Sequence, residues 1–202
     1  MQGEIRIGLF RWLQQQTFFK SLALIKESYP KISFYVRYLE HKHIEAAILR
    51  DEIDLGFAVF IRNRQAVCST PYLDQKNVLV ASPEYLSKIP PPCNLRQFNR
   101  HTIVDYDHEA TGFRVLLQKN KIPIKKDFKA NIVISEPDGA LEAIRAGLGI
   151  GFCPVDLVND LQVIPWPKEN GVTAGIELIY KNREYPQTKV EKIAEKLIEL
   201  SR

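Results

Sequence analysis

"AIRAGLGIGFCP", residues 143–154, sets three glycines at alternate positions, Gly147, Gly149 and Gly151. A dinucleotide fingerprint needs its glycines after a strand and at the start of a helix, where free N–H groups receive a pyrophosphate. Here the order is reversed. The amphipathic stretch 137–146 comes first, the glycines follow, and an apolar strand pattern at 149–154 comes last. Gly147 falls where a helix ends, at the position that favours a left-handed residue. Gly149 and Gly151 enter the strand, where missing side chains permit close packing. The run turns the chain and does not cradle a phosphate.

Outward from that stretch, the chain reads as two successive β-α-β-α-β units. "EIRIGLF" (4–10) alternates as a strand does. In 13–29, Phe18, Leu22, Ile25 and Tyr29 share one helical face, which Phe19 and Ala23 widen, and Pro30 stops the helix. A strand at 32–39, a short helix at 43–52 and an apolar strand at 53–60 complete the first unit. The run at 53–60 has the continuous apolar character of a central parallel strand. A strand follows at 77–82, and "IPPPCN" (89–94) reads as a loop between domains. The second unit takes strands at 101–106, 128–135 and 149–154 with helices at 111–120 and 137–146. A late strand at 175–180 and a helix at 187–200 close the chain. The fold class is α/β, with two lobes and a ligand cleft between them. In open α/β sheets ligands sit at the carboxyl ends of the strands, here 9–13, 39–42, 59–62, 105–112 and 135–138.

The composition is that of an ordinary globular chain: 202 residues, 45% hydrophobic and 26% charged, with a net charge of only +4. The richest basic run, "KNKIPIKKDFK" (119–129), reads as a solvated helix end and loop, so specific DNA binding by this chain alone is not expected. No apolar run is long enough to span a membrane, and "MQGEIRIGLF" has no secretory pattern. Cys68, Cys93 and Cys153 are odd in number and widely spaced, which fits a reducing cytoplasm and neither a disulfide framework nor a metal site. Two histidines in "HKH" (41–43) lack a third ligand. Asp105, Asp107, His108 and Glu109 lack a converging His or Cys cluster. No nucleophile elbow or catalytic triad spacing is present. No cofactor is expected.

"AIRAGLGIGFCP" also resembles the glycine signature of the effector-binding domain of LysR-type transcriptional regulators. In the same order as in that family, "GEIRIGLF", "YPKISFYV", "LRDEIDLGFA" and "PYLDQKNVLVASPEYL" resemble its other motifs, so the likeness covers roughly 4–180. The resemblance implies a two-lobed fold like the type 2 periplasmic binding proteins. Its first lobe would take 1–77 plus 180–202 and its second 78–179, with a winged helix-turn-helix upstream of residue 1. It implies a small-molecule effector bound in the interlobe cleft and a homodimer, a tetramer in the full-length protein. DNA would be contacted only through the upstream module, and the protein would be cytoplasmic with no membrane partner. A peroxide sensor of this family would need paired reactive cysteines, which the three cysteines here do not match. The wide apolar stripe of 13–29 marks that helix as a dimer element.

Matched positions carry the site. The turn after the first strand, often Ser or Thr in the family, is Arg11, Trp12 and Leu13 here. The loop before the second helix offers His41 and Lys42, and Val59, Phe60 and Ile61 follow the third strand. In the second lobe the matched positions are Asp105, Tyr106 and Thr111, then Glu136, Pro137 and Asp138. Thr111 is a good N-cap, and Asp138 either caps its helix or accepts from the effector. Arg11, His41 and Lys42 form a basic set that favours an anion, with exposed surface charge as the plainer reading. The acidic second set suits a donor or amine, so the effector expected is an amphoteric or hydroxylated small acid. Two alternatives stand beside the regulator: a periplasmic solute-binding protein of a transport system, and an enzyme on the same fold, such as a prephenate dehydratase or porphobilinogen-polymerising type.

Overall fold

The alternation at the start of the chain becomes β1 (Gly3–Leu9), with Ile5, Ile7 and Leu9 fully buried. The computed structural model describes residues 1–13, 15–184 and 188–201. Gln14 and Gln187, which the sequence reading placed in helices, lie outside the described residues. The chain divides into two units, 1–75 with 174–202, and 76–173. The dividing points fall a few residues before the expected 77/78 and 179/180, within two long strands that run from one unit into the other.

In the first unit, β1 pairs in parallel with β2 (Ile32–Tyr38) along its whole length. On its other side β1 pairs in parallel with β3 (Leu55–Ala58), all four residues of which are buried. α1 (Gln15–Ser28) and α2 (His41–Leu49) are the crossovers, and α7 (Thr188–Leu200) packs against α1. The core joins Ile5, Ile7, Phe18, Ile25, Phe57, Ile193 and Leu197. Edge-to-face rings link Phe18 to Phe57 at 5.5 Å and Phe57 to Tyr72 at 4.6 Å, each worth about 0.5–1.5 kcal/mol beyond burial. Arg6 ties β1 to the approach to β3: its Nε and Nη2 donate to both Asp54 oxygens at 3.1 and 2.8 Å, and its Nη1 donates to the Asp51 carbonyl at 2.7 Å. Burial opposes ionisation of Asp54, yet the Arg6 hydrogen bonds and charge hold its carboxyl below the usual range.

β4 (Val67–Ala81) and β9 (Gly171–Lys181) are the two strands that run between the units. β9 is antiparallel to β3 in the first unit. In the second unit, residues 77–81 of β4 pair antiparallel with β7 (Ile150–Pro154), and its end pairs with β8 (Gln162–Val163). β5 (Val104–Asp105) pairs in parallel with β6 (Ile132–Val133), and Ile103 bridges Ile150. α3 (Pro83–Lys88), α4 (Leu95–Phe98), α5 (Thr111–Lys119) and α6 (Pro137–Arg145) complete the unit. Its core centres on Phe98, Phe113, Leu116, Ile150 and Ile164.

Four expectations change. The strand read at 77–82 is only the end of the 15-residue β4; its first half mixes exposed and buried positions and holds Pro71 and Asp74, which hid it. Residues 89–94 are a loop, but within the second unit, between α3 and α4. α3 and α4 went unread because they are six and four residues long; Ser82 and Asn94 cap them by accepting from the N–H groups of Tyr85 and Gln97. The strands read at 101–106 and 128–135 shrink to two residues each; just before the pairing the Asn131 Oδ1, rather than a backbone carbonyl, accepts from the Ile103 N–H at 2.8 Å.

The glycine run behaves as its order implied. Gly147 has φ +81°; its N–H donates to the Ile144 carbonyl at 3.0 Å, and the Leu148 N–H donates to the Ala143 carbonyl at 3.1 Å. This pair of bonds is a Schellman close. A Cβ on Gly149 would lie 2.3 Å from the Thr102 carbonyl oxygen. On Gly151 it would lie 2.8 Å from the Val104 oxygen and 2.3 Å from Ile144 Cδ1. Gly151→Ala is expected to lower the unfolding free energy by about 1–3 kcal/mol in urea titration, as overpacking does. Gly175→Ala, whose Cβ would meet nothing nearer than Asp74 Oδ1 at 3.5 Å, is the near-neutral control.

Candidate functional site

The parallel register of β1, β2 and β3 gathers their carboxyl ends at one end of the first unit. There the Arg11 guanidinium carbon lies 4.8 Å from the Tyr38 ring centroid, a cation–π contact between the ends of β1 and β2. His41 and Lys42 open α2 just beyond β2, and Lys42 pairs with Glu40 at 2.7 Å. The basic set therefore includes a partly neutralised lysine. Phe60, just past β3, is 67% exposed. Val59 and Ile61 are half-buried against the two core clusters of this unit. Trp12 is buried and Leu13 belongs to the core, with the Leu13 N–H closing a turn onto the Phe10 carbonyl at 3.1 Å. The Leu13 side chain is thus a packing residue.

Two residues that the sequence reading missed shape this end. Tyr38 supports Arg11; strand alternation alone does not reveal a ring that matters through its neighbour on another strand. Glu45 of α2 is buried, and its two oxygens accept from the N–H groups of Arg62 and Asn63 at 2.8 and 2.7 Å, fixing the segment after β3. A glutamate on the apolar face of a short helix, beside Ile44 and Ile48, was the available signal.

In the second unit, β5 and β6 bring 105–111 and 134–138 to the same end. The expected capping changes here. Thr111 is the first residue of α5, and the cap position is Ala110, with φ 49°. Asp107 does the capping: its Oδ2 accepts from the Thr111 N–H at 3.1 Å and from the Thr111 hydroxyl, while its Oδ1 accepts from the Glu109 N–H at 3.1 Å. At α6 the cap position is Glu136, whose side chain makes no capping bond; Pro137 and Asp138 form the first turn, so Asp138 is not the N-cap. The α6 N-terminus lies beside the Asp105 segment, since the Ile134 N–H donates to the Asp105 carbonyl at 3.0 Å.

Asp105 is buried, with Oδ1 accepting from the Asp107 N–H at 3.0 Å. Burial lifts its carboxyl to about 6; the Asp107 charge adds to the rise, and bonds from the backbone of Asp107 and Tyr106 oppose it. Burial, with the charges of Asp105 and Asp107, also pushes the half-buried Tyr106 phenol up to about 12. Among the described residues, no group of three or more His, Cys, Asp or Glu side chains could hold a metal ion. Nor is any helix among them long and apolar enough to cross a membrane. Cys153 is buried, and burial pushes its thiol up to about 12, the opposite of a reactive thiolate.

Two α/β units joined through two long strands have the fold of the type 2 periplasmic-binding-protein class. The sequence profile of the family described as LysR substrate binding domain matches residues 1–202, and the chain belongs to that family. Solved structures agree in fold. The effector binding domain of QuiR in complex with shikimate superposes with a TM-score of 0.79 at 16% identity, over 100% of this chain and 98% of that one. The OxyR2 regulatory domain from Vibrio vulnificus, as a cysteine-to-serine variant, gives 0.76 at 17% identity, over 99% and 97%. The regulatory domain of CrgA, a LysR-type regulator from Neisseria meningitidis, gives 0.72 at 16%, over 98% and 100%. No curated protein sequence matches the chain. Membership of this family favours the regulator reading over the solute-binding alternative.

Asp105→Asn tests the buried carboxyl. A raised folded-state pKa contributes stability that is fully present below the unfolded value, 3.8, and is lost as pH rises through about 6. The asparagine keeps an acceptor for the Asp107 N–H and does not titrate. The variant should therefore gain on the parent between pH 4 and 7, by on the order of 2–3 kcal/mol. Urea unfolding at pH 4.5 and 7.5 reads the difference; an equal gap at both values excludes the assignment.

Proposed function

We propose that this domain senses a small hydroxylated or amphoteric organic acid in the cytoplasm and passes that signal to a DNA-binding module of a full-length LysR-type regulator. The observation that carries the reading is the contrast between the two strand ends. One presents Arg11 over Tyr38 with His41 beyond it, suited to a carboxylate. The other presents a buried, lifted Asp105 with Asp107, Glu136 and Asp138, suited to a hydroxyl or amine. The QuiR domain, which shares the fold, is in complex with shikimate, itself a hydroxylated acid. Phe60 and Tyr106 supply apolar contact, and Trp12 narrows the space beside Arg11. The effector acts by binding one arrangement of the domain better than another, which shifts the population the DNA-binding module experiences.

Self-association completes the reading. Phe18 and Leu22 of α1 are spent on their own core, but Phe19 and Leu24 stay 41% and 49% exposed, with Ala23 exposed between them. We assign this strip to a homodimer contact. The parent should sediment as a dimer and Phe19→Asp/Leu24→Asp as a monomer with an unchanged circular dichroism spectrum; an unchanged mass overturns the assignment.

Thermal-shift screening of small acids, amines and neutral metabolites tests the effector class. Acids with a hydroxyl or amine should stabilise the domain, and Arg11→Ala should weaken them by about 10- to 100-fold, the loss of one charge-assisted contact. Stabilisation by cations or uncharged compounds alone, or unchanged acid binding in the variant, overturns the basic-end reading.

A further inference from the structure

The first unit holds a groove of about 320 Å³ that none of the candidate effector residues lines. Its walls are Thr70 of β4, Tyr180 of β9 and one flank of α7. Tyr180, Ala194 and Ile198 give it an apolar floor, and Glu191, Glu195 and Glu199 border it. At 1.5 Å rise per residue, the four-residue spacing sets these glutamates in a row about 6 Å apart. Lys189, Lys192 and Lys196 of α7 do not line the groove.

The row is acidic on a chain whose net charge is +4. Lys196 reaches Glu199 at 2.6 Å, but among the described residues neither Glu191 nor Glu195 has an ion-pair partner. Glu191 is half-buried. Like charges four residues apart weaken a helix, so α7 carries a repulsion that an incoming cation would relieve. Burial first, then Cys68 and the charges of Glu191 and Glu195, push the Tyr180 phenol up to about 12.

We propose that this groove is a docking site for an amphipathic helix of another protein, with Lys or Arg at every fourth residue facing Glu191, Glu195 and Glu199 and aliphatic side chains seated on Tyr180, Ala194 and Ile198. A helix is the fitting occupant because its own four-residue rise equals that of α7, so charges and apolar side chains stay in register together. A flexible polycation satisfies the row and leaves the floor unfilled.

The test is fluorescence anisotropy with the whole chain and a labelled helical peptide of about 15 residues carrying Lys every fourth position and Leu between. Saturable binding is expected, weakened about tenfold or more by Glu191→Gln/Glu195→Gln, and much weaker for a scrambled peptide of equal composition. The double variant should melt no lower than the parent, since it removes a repulsion. Thr70→Lys, at an exposed wall position, should weaken binding as well, and serves alone if the double variant misfolds. Equal binding by parent and variant overturns the proposal, as does equal binding of the scrambled peptide. Spermine binding with the same glutamate dependence while the two peptides behave alike assigns the groove to a small polycation and overturns it. Self-association in light scattering that the double substitution abolishes assigns it to a second copy and also overturns it.

Discussion

β7 approaches the 102–104 segment so closely that no side chain fits between them, and the second unit is organised around that approach. A Cβ at Gly149 would strike the Thr102 carbonyl, and one at Gly151 would strike the Val104 carbonyl. Because the space is left open, the Ile150 N–H donates to the Thr102 carbonyl at 2.9 Å, and Ile103 can bridge Ile150. On its other side β7 pairs with β4 over five residues. α6 is delivered onto this arrangement by Gly147, whose left-handed backbone closes the helix within one residue. The ends of β5 and β6, with their acidic groups, take their places from it.

The two strand ends differ in how they handle charge. In the first unit, cations sit at the surface on an aromatic ring or beside a carboxylate, where solvent keeps their desolvation cost small. In the second, a carboxyl is held in the interior by backbone N–H groups, and burial raises its pKa. A group held in that state responds strongly to whatever donor approaches it, because the dielectric around it is low. Asp107 fills the more ordinary role, accepting from the Thr111 N–H that opens α5, which would otherwise lack a partner, and from the Glu109 N–H of the turn before it.

The sequence by itself determined the order of the elements and the role of the glycines. The helix–glycine–strand order excluded a phosphate cradle and required close packing, because a helix end, a left-handed residue and a missing Cβ are local properties. It also determined most of the long periodic elements, such as α1, β2 and α6, since burial of one face writes a period into the chain. Family motifs, spread in order along the chain, carried the class.

What only the tertiary structure decided depends on partners distant in sequence. The first half of β4 shows no strand period, because a strand running between two units has no single buried face. Thr111 looks like a cap, yet Asp107 takes that role, since the turn through Ala110 places the carboxylate under the helix. Leu13 matched a ligand position and went to the core, while Tyr38 and Glu45 were missed and shape the first-unit end. Asp105 and Asp107 carry the same side chain two residues apart, and only their surroundings separate a buried, lifted carboxyl from a helix cap. Side-chain chemistry is written in the sequence, but desolvation and hydrogen-bond partners are set by what the fold brings alongside.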